Sequence, residues 1–415
     1  MVKPTDGLKV AIVLLSLPSF WFLPPRTLAL LVRRLGLIFI VLATLKHDMD
    51  TNIDVLPKVH QQDLSSFVAV VTGANRGIGL SVCKKLLAMN VTVVMACRSM
   101  ERCEAAQAHI STPTNRFKLV AMQLDLADLR SVRAFSLAFK GNFSRLDILV
   151  NNAGLIAPAG LRTEQGLEAS FGIMHIGHFA LAKWLLDVLR RHVEEDDRAA
   201  RVVAVSSAAH LAGDFDGSFF EGDGEGDLRG EVTDNCEDTG PLGLFSCCPA
   251  LRCPVTNGYS RAKLANILHM HELQIRADAA SLSSAEPLRR LVTASLHPGS
   301  VSTDIHPNFR RAGMLLRSSD EAAAVVVHAI LSDDFVPSSY IDAMKHSYDL
   351  RAYRANHLSK HLEAHPEASL KTFAHPPLFY YRSLESYFWN RTPVDRTALA
   401  KRLWEVSEAI VTPWE

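Results

Sequence analysis

The chain has no excess of charge of either sign, because 44 lysine and arginine residues balance 44 aspartate and glutamate residues. Proteins that bind nucleic acid draw much of their affinity from basic side chains that neutralise phosphates. A chain with balanced charge has no such general attraction. The composition therefore predicts a protein without a nucleic-acid partner.

Paired cysteine motifs are also missing. The seven cysteines form no C-x-x-C unit, and no histidine pair follows them at the spacing of a zinc finger. We therefore expect no metal site, and free thiols in a reducing compartment. The alternative is a zinc or disulfide clip in one loop-like stretch that holds Cys236, Cys247, Cys248 and Cys253.

The N-terminus lacks an uninterrupted run of about 20 apolar residues, the length that spans the hydrocarbon of a bilayer. Val10 to Leu23 is almost wholly apolar, and the run from Thr27 to Leu45 carries Arg33 and Arg34 inside it. The second run suits a helix that lies among the lipid headgroups. Residues 1–46 are therefore predicted to be a membrane anchor, either spanning or interfacial, with a cleaved signal peptide as the alternative.

Beyond a polar linker at residues 47–64, valine-rich runs alternate with helix-like segments. This alternation is typical of βαβ units, so we expect an α/β fold with a Rossmann-type, doubly wound parallel sheet. The single catalytic domain is predicted over residues 65–410, with an acidic, cysteine-containing insertion at about 213–258 that is too polar to bury a core. The predicted strands are Phe67–Thr72, Val91–Ala96, Phe117–Leu124, Leu146–Val150, Arg201–Ser206 and Leu291–Leu296, and the predicted helices include Ile78–Met89 and Gly166–His192.

Three glycines, at positions 73, 77 and 79, lie where the first predicted strand turns into the first helix. Gly73 allows a tight turn, and the missing side chain at Gly77 lets a pyrophosphate approach the backbone. Gly79 lets the helix and the strand pack closely. Because the start of the helix also offers free N–H groups to phosphates, this turn predicts a dinucleotide site.

Tyr259 and Lys263 are four residues apart in an amphipathic segment, a spacing that places both on one face of a helix. A phenol has a pKa of about 10, which is too high for easy proton exchange at neutral pH. A neighbouring ammonium group favours the tyrosinate and lowers that pKa. The pair is therefore a candidate group for general acid–base chemistry.

Four segments together resemble the short-chain dehydrogenase/reductase family, over about residues 64 to 335. They are Thr72-Gly73-Ala74-Asn75-Arg76-Gly77-Ile78-Gly79, Asn151-Asn152-Ala153-Gly154, the Tyr-x-x-x-Lys motif at 259–263, and His297-Pro298-Gly299. Within the family, His-x-Gly-His-Phe at 175–179, the run Ser206-Ser207-Ala208-Ala209-His210, and Tyr-Ser-x-x-Lys-Leu-Ala-Asn at 259–266 resemble the retinol dehydrogenase subgroup. The resemblance implies hydride transfer between a nicotinamide cofactor and a carbonyl or alcohol.

The resemblance also implies a set of cofactor-binding residues. No acidic residue ends the second predicted strand, whereas Arg98, with Arg76, could pair with a 2′-phosphate, so NADP(H) is the expected cofactor. Two ordinary surface arginines are the alternative. Asp125 resembles the residue that meets the adenine amino group, and it could equally cap the helix that begins near Asp128. The implied set is Gly73, Asn75, Arg76, Gly77, Ile78, Gly79, Arg98, Asp125, Leu126, Asn152, Ala153, Gly154, Tyr259, Lys263, Pro298, Gly299, Val301 and Thr303.

The same resemblance implies three catalytic residues. Tyr259 would exchange the proton with the substrate oxygen, and Lys263 would lower the pKa of the phenol and hold the nicotinamide ribose. Ser207, at the end of a predicted strand, would hydrogen-bond the substrate oxygen. Ser206 is the less favoured serine.

One position departs from the family pattern. Met174 stands where the family usually has an asparagine that bends the helix and supports a water link to the lysine. A thioether binds water poorly, so the proton relay is in question. His175 is expected to be a structural or surface histidine rather than a replacement. The alternative function is a catalytically weakened nucleotide-binding scaffold or regulatory protein of the same fold.

The subgroup and the predicted anchor together suggest the surroundings of the enzyme. We expect a small apolar carbonyl or alcohol as the substrate, such as a retinoid, a steroid or a fatty aldehyde. The expected location is the endoplasmic reticulum membrane, with the catalytic domain facing the cytosol. A homodimer formed through the helices beside the active site is a further expectation from the family.

Overall fold

The computed structural model describes residues 64–158, 160–191, 198–207, 209–210, 213, 215, 257–284, 288–299, 301, 317–331, 339–342 and 396–415. The predicted anchor, nearly all of the linker, most of the predicted insertion, and Thr303 lie outside these residues. The chain divides into two units, and the described residues all belong to the second, Ile53–Glu415. Within the described residues, no helix is long and apolar enough to cross a bilayer.

Seven strands form one parallel sheet. They are β1 Val68–Thr72, β2 Thr92–Cys97, β3 Leu119–Gln123, β4 Ile148–Asn151, β5 Ala200–Val205, β6 Leu291–His297 and β7 Ser339–Asp342. Their order across the sheet is β3-β2-β1-β4-β5-β6-β7, with every neighbouring pair parallel. The chain reverses its direction of travel across the sheet between β1 and β4, which is where doubly wound sheets bind ligands. The predicted Rossmann-type parallel sheet is confirmed.

Helices cover both faces of this sheet. They are α1 Gly77–Ala88, α2 Met100–Ile110, α3 Leu129–Asn142, α4 (169–184), α5 Asn257–Ser283, α6 Ser319–Leu331 and α7 Arg396–Val411. Short helical turns lie at Arg116–Lys118, Leu186–Leu189 and Thr412–Trp414. One apolar layer contains side chains from α1, α2 and α6, and the other contains side chains from α3, α4, α5 and α7.

The strands are apolar throughout because they are buried on both faces. In β1, Val70 and Val71 are both fully buried but belong to opposite apolar layers. This follows from the alternation of side chains along a strand. A valine-rich run without polar alternation is therefore the sequence pattern of a central parallel strand.

The helix α4 is irregular, in contrast to the single long helix predicted over Gly166–His192. It begins at Ala169, where the Glu168 carboxylate accepts the N–H groups of Ser170 and Phe171 at 2.8 and 2.7 Å. A π-helical segment, Gly172–Ile176, separates this first turn from a regular segment, Gly177–Trp184. Because almost every residue of α4 is buried, the apolar pattern carries no trace of the wider turn.

Ionic contacts hold the amino end of the sheet. Asp147, just before β4, is fully buried, and Arg289 Nη2 lies 2.7 Å from its carboxylate. Arg145 forms a second ion pair with the same carboxylate. The carboxylate also accepts the backbone N–H of Val68 at 2.8 Å. This carboxylate therefore joins the starts of β1 and β4 to the loop before β6.

Two cysteines near the end of β2 are joined, which contradicts the expectation of free thiols. Cys97 ends β2 and Cys103 lies in the first turn of α2, with their Cα atoms 6.0 Å apart and a disulfide between them. A short strand-to-helix turn brings them together. Cys83 is free, and burial raises the pKa of its thiol. The four cysteines of the predicted loop clip lie outside the described residues.

Candidate active site

The turn between β1 and α1 has the backbone geometry that its glycines predict. Gly73 and Gly77 have φ angles of +64° and +56°, in the left-handed region. A Cβ at Gly79 would lie 2.4 Å from the carbonyl oxygen of Gly73, so no side chain fits there. Asn75 and Ile78 are half-buried in this turn, and Arg76 is exposed. The turn therefore presents backbone with few side chains at the carboxyl end of β1.

Thr72 joins this turn to the loop after β4. Its hydroxyl accepts the backbone N–H groups of Asn152 and Ala153, each at 2.9 Å. In return, the side-chain amide of Asn152 donates to the carbonyl oxygen of Thr72 at 2.8 Å. We call this set of contacts the β1–β4 clasp. It places two predicted cofactor-binding segments side by side at the switch point of the sheet.

Tyr259 and Lys263 lie in the first two turns of α5, and both are buried. The Lys263 ammonium nitrogen is 5.5 Å from the centroid of the Tyr259 ring and donates to the carbonyl oxygen of Val205 at 2.8 Å. Burial lowers the pKa of Lys263 to about 8. The predicted pair therefore shares one helix face, next to the end of β5.

Gly154 connects this pair to the clasp. A Cβ on Gly154 would lie 3.5 Å from the Lys263 ammonium nitrogen and 3.3 Å from the sulfur of Met174. Because Gly154 follows Asn152 and Ala153 directly, the catalytic candidates and the glycine turn lie along one edge of the sheet. This is the arrangement that the sequence motifs predict.

The two serines after β5 have different environments. Ser206 is buried, and its hydroxyl donates to the carbonyl oxygen of Lys263 at 2.7 Å, which ties β5 to α5. Ser207 is half-buried, and its hydroxyl oxygen accepts the Ala209 N–H at 3.2 Å. Within the described residues, the hydroxyl proton of Ser207 has no acceptor and can be offered to a ligand. Of the two hydroxyls, that of Ser207 is the one that is not used to join β5 to α5.

The other predicted cofactor residues lie along the same edge or beside it. Arg98 is exposed just after β2. Asp125 is half-buried and its carboxylate accepts the Ala127 N–H at 2.9 Å, whereas Asp128 is the residue that caps α3. Leu126 is buried beneath Gly177. Pro298, Gly299 and Val301 are buried after β6.

Met174 lies in the π-helical segment, and its carbonyl oxygen is held by two side chains. His178 Nδ1 lies 2.9 Å from this oxygen. The amide of Asn266, oriented so that its nitrogen faces acceptors, donates to it at 2.8 Å. His178 and Asn266 were not singled out in the sequence. The only signal was their position inside the two retinol dehydrogenase-like segments.

His175 is structural, as expected. It is buried and points away from Lys263 toward α7, where its Nε2 lies 2.8 Å from the Ser407 hydroxyl. Because that hydroxyl donates its own proton to Leu403 at 2.7 Å, His175 Nε2 is the donor. Burial and the neighbouring His269 and His178 lower the pKa of His175 well below its ordinary value.

The residues at this edge fit a dinucleotide. Gly73 and Gly77 present no side chain at the turn, and the absence of a Cβ at Gly79 lets α1 pack against Gly73 and Asn152. The amide of Asn151, at the end of β4, is buried, and neither of its polar atoms has a partner within the described residues. A glycine turn at the switch point of a doubly wound parallel sheet, beside a buried amide with no partner among the described residues, defines the class as a dinucleotide-binding α/β protein.

Comparisons with known proteins identify the family. Residues 67–219 match the family model for short-chain dehydrogenases. The chain is 31% identical over 279 residues to mouse retinol dehydrogenase 12, a match that covers 66% of this chain and 75% of the relative. It is also 31% identical over 273 residues to human retinol dehydrogenase 11, covering 64% and 73%. The chain belongs to the short-chain dehydrogenase/reductase family of oxidoreductases, in its retinol dehydrogenase-like subgroup.

Three further comparisons show how far the similarity extends. The chain is 33% identical over 288 residues to the chicken WW domain-containing oxidoreductase, a match that covers 67% of this chain and only 61% of that relative. An uncharacterised protein from Mycobacterium paratuberculosis superimposes with a TM-score of 0.51 at 26% identity, covering 83% and 93% of the two chains. A short-chain dehydrogenase from Shigella flexneri, solved with NADP, has a TM-score of 0.50 at 19% identity, covering 69% and 100%.

Proposed function

We propose that this chain is an NADP(H)-dependent oxidoreductase that transfers hydride between the nicotinamide and the carbonyl or alcohol of a small apolar substrate. The observation that carries the proposal is the placement of Lys263. Its buried ammonium group lies beside the Tyr259 ring and beside Gly154, which adjoins the β1–β4 clasp. A proton-exchanging group and a dinucleotide cradle therefore share one edge of the sheet.

The cofactor would be held by the residues of that edge. The glycine turn, with Asn75, Arg76 and Ile78, would receive the pyrophosphate at the start of α1. Asp125 and Leu126 would face the adenine, and the segments 152–154 and 298–303 would flank the nicotinamide half. When bound, the cofactor supplies or accepts the hydride.

Tyr259 would donate its proton to the substrate oxygen during reduction, and would accept it during oxidation. Lys263 supports this step, because a nearby positive charge favours the phenolate. With a pKa of about 8, Lys263 still holds its proton in most molecules at neutral pH. Ser207 would donate a hydrogen bond to the same substrate oxygen and stabilise charge as it develops there.

Mutation of the phenol tests the catalytic assignment. NADPH oxidation by the purified protein is followed with retinal, a steroid ketone and an aliphatic aldehyde. Tyr259→Phe should lower kcat by about 10²- to 10⁴-fold, the contribution of general acid catalysis, while the NADPH Kd stays within about twofold. The control is Tyr340→Phe, which makes the same substitution elsewhere in the chain. Full activity in Tyr259→Phe would overturn the assigned role.

NADP(H) is proposed over NAD(H) because Arg98 is exposed directly after β2 and no carboxylate occupies that position. Arg98→Ala should raise the NADPH Kd about tenfold and leave the NADH Kd nearly unchanged, since a charge-assisted hydrogen bond to the 2′-phosphate is lost. Arg116→Ala, which removes an exposed arginine before β3, is the control. Equal effects of Arg98→Ala on both cofactors would argue for an ordinary surface arginine.

The membrane setting is also proposed. Residues 1–46 would anchor the chain to the endoplasmic reticulum membrane, residues 47–64 would link the anchor to the catalytic domain at 65–410, and that domain would face the cytosol. The 31% sequence identity to two retinol dehydrogenases supports the proposal of an apolar substrate that is taken from the bilayer. Homodimer formation stays a prediction.

The alternative, a catalytically weakened scaffold, rests on Met174. It predicts NADPH binding without turnover of any carbonyl in the panel, and gain of turnover in Met174→Asn. Turnover by the wild-type protein would dismiss it. The buried pair of Tyr259 and Lys263 favours the enzyme.

A further inference from the structure

The hydroxyl of Thr72 has more neighbours than a hydroxyl needs. Two backbone N–H groups of the β1–β4 clasp donate to it, so both of its lone pairs are used. Its single proton has two candidate acceptors. His178 Nε2 is 2.9 Å away and the carbonyl oxygen of Val150 is 3.3 Å away.

The contacts of His178 decide between these acceptors. Its Nδ1 lies 2.9 Å from the Met174 carbonyl oxygen, which can only accept, so Nδ1 carries the proton. Burial, and to a lesser extent the charge of Lys263, lower the pKa of His178 to about 4, although its hydrogen bond to Met174 acts in the opposite direction. The ring is therefore neutral at physiological pH, and its Nε2 has a free lone pair. The closer acceptor for the Thr72 proton is thus available, and every polar atom of this pair is satisfied.

This arrangement links α4 to the cofactor cradle. The imidazole joins the π-helical segment, through the Met174 carbonyl, to the end of β1, through the Thr72 hydroxyl. When the proton of Thr72 points to His178, both lone pairs are directed at the loop after β4. If the proton turned to Val150 instead, the hydroxyl would rotate and its bonds to Asn152 and Ala153 would weaken.

We propose that His178 is a positioning residue, which directs the Thr72 hydroxyl and so sets the Asn152–Ala153–Gly154 loop in place for the cofactor. It acts through Thr72 and touches neither the substrate nor the cofactor. The proposal rests on the proposed function, because its readout is nicotinamide cofactor binding. It goes beyond the predicted site, in which no histidine takes part.

Two conservative substitutions separate the two hydrogen bonds of the ring. In His178→Gln, the amide reaches the position of Nε2 and keeps an acceptor for Thr72. In His178→Asn, the shorter amide reaches the position of Nδ1 and keeps only the donor to Met174. A merely structural requirement for the contact inside α4 would be met by asparagine, whereas the positioning role requires glutamine.

The experiment measures the NADPH Kd of the full chain by titration, with the urea midpoint of each variant as a check on folding. His178→Asn should raise the Kd about tenfold, as expected for one lost hydrogen bond, and His178→Gln should change it less than about twofold. Thr72→Val should raise the Kd to a similar extent, and adding His178→Asn to it should have little further effect. Thr72→Ser keeps the hydroxyl group, so this variant should bind NADPH as tightly as the wild type does.

Equal Kd values for the asparagine and glutamine variants, or additive effects of His178→Asn and Thr72→Val, would overturn the role of His178. A second measurement needs no variant to fold. In the wild-type protein, ¹⁵N NMR of the histidine rings should show His178 as the neutral Nδ1–H tautomer, and the Nε2–H tautomer would overturn the proposal. Absence of NADPH and NADH binding by the wild type would instead overturn the proposed function, and the positioning role with it.

Discussion

The two ends of the parallel sheet handle buried charge in opposite ways. At the amino end, the fully buried carboxylate of Asp147 is paired with Arg289 and Arg145 and accepts a backbone N–H. At the carboxyl end, Lys263 is also buried, yet within the described residues its ammonium group has no carboxylate partner. It donates to the Val205 carbonyl oxygen and lies beside the Tyr259 ring.

The difference contrasts a charge that holds the fold together with one that we propose acts in catalysis. A buried ion pair satisfies its own electrostatics and holds strands in place. A buried charge without a counter-ion has a shifted pKa, and such groups concentrate at functional sites. Burial lowers the pKa of Lys263 to about 8, which makes Lys263 a candidate for the second kind. We call the amino end of the sheet the closed end, because the Asp147 carboxylate is neutralised there by arginines. We call the carboxyl end the open end, because Lys263 has no counter-ion there among the described residues.

The largest expected effect comes from breaking the closed end. Asp147→Ala leaves two arginines without their carboxylate, so the free energy of unfolding should fall by about 3–5 kcal/mol. Urea denaturation measures it. Asp187→Ala, which breaks an exposed pair with Lys140, is the matched control and should change stability by no more than about 1 kcal/mol. Similar losses of unfolding free energy in the two variants would show that the buried ion pairs of Asp147 stabilise the fold no more than the pair of Asp187 and Lys140 does.

The next effect tests the open end through pH. In the cofactor-free protein, between pH 8 and 10.5 the unfolded chain holds a proton on Lys263 that the folded chain has released, so stability should rise with pH. The total rise should be about 3 kcal/mol, because the pKa of Lys263 is about 8 in the folded chain and about 10.5 in the unfolded chain. Urea midpoints across this range measure it.

Lys263→Met should remove this rise, because methionine has no proton to lose. Lys84→Met, at an exposed position in α1, should keep it. Subtracting the two profiles also cancels the opposite contribution of Cys83, whose raised thiol pKa removes stability at alkaline pH. A flat difference between the profiles would mean that Lys263 is well solvated in the folded protein.

The smallest effect concerns the backbone of the cradle. Gly79→Ala places a Cβ 2.4 Å from the Gly73 carbonyl oxygen, so the turn must shift. Stability should fall by about 1–3 kcal/mol and the NADPH Kd should rise. Gly141→Ala, in α3, meets nothing within 4 Å and should stabilise the protein by up to about 1 kcal/mol. Thermal unfolding of the Gly79→Ala and Gly141→Ala variants, with and without NADPH, measures both effects. An unchanged NADPH Kd in Gly79→Ala would show that the turn tolerates a methyl group.

Much of the sheet could be predicted because its strands are continuous valine-rich runs. Phe67–Thr72 was predicted and Val68–Thr72 is observed, and β5 is shifted by only one residue from its predicted range. The motifs also placed Gly79 and Lys263 correctly at one edge, since carboxyl ends of parallel strands meet there. The local sequence pattern is sufficient to predict strands and turns whose structure depends on residues near each other in the chain.

The features that were missed depend on contacts between distant parts of the chain. The partner of His175 is Ser407, 232 residues away, and no spacing rule connects them. The π-helical segment of α4 could not be predicted from the sequence, because almost every residue of this helix is buried and the apolar pattern is therefore uninterrupted. The Cys97–Cys103 disulfide was not predicted because the two cysteines belong to no known cysteine motif. They come together because a short turn joins the end of β2 to the start of α2.

The position of α7 in the chain has a consequence for how the protein folds. Trp404 of α7 packs edge-to-face against Phe179 of α4, and the guanidinium of Arg276 in α5 lies over its ring. Proteins grow from the N-terminus on the ribosome, so α4 is made long before its cover. During that interval an apolar helix face is open to water, and contacts of such long sequence separation form slowly. Biosynthesis of this half of the molecule should therefore depend on chaperones that shield the face until α7 emerges.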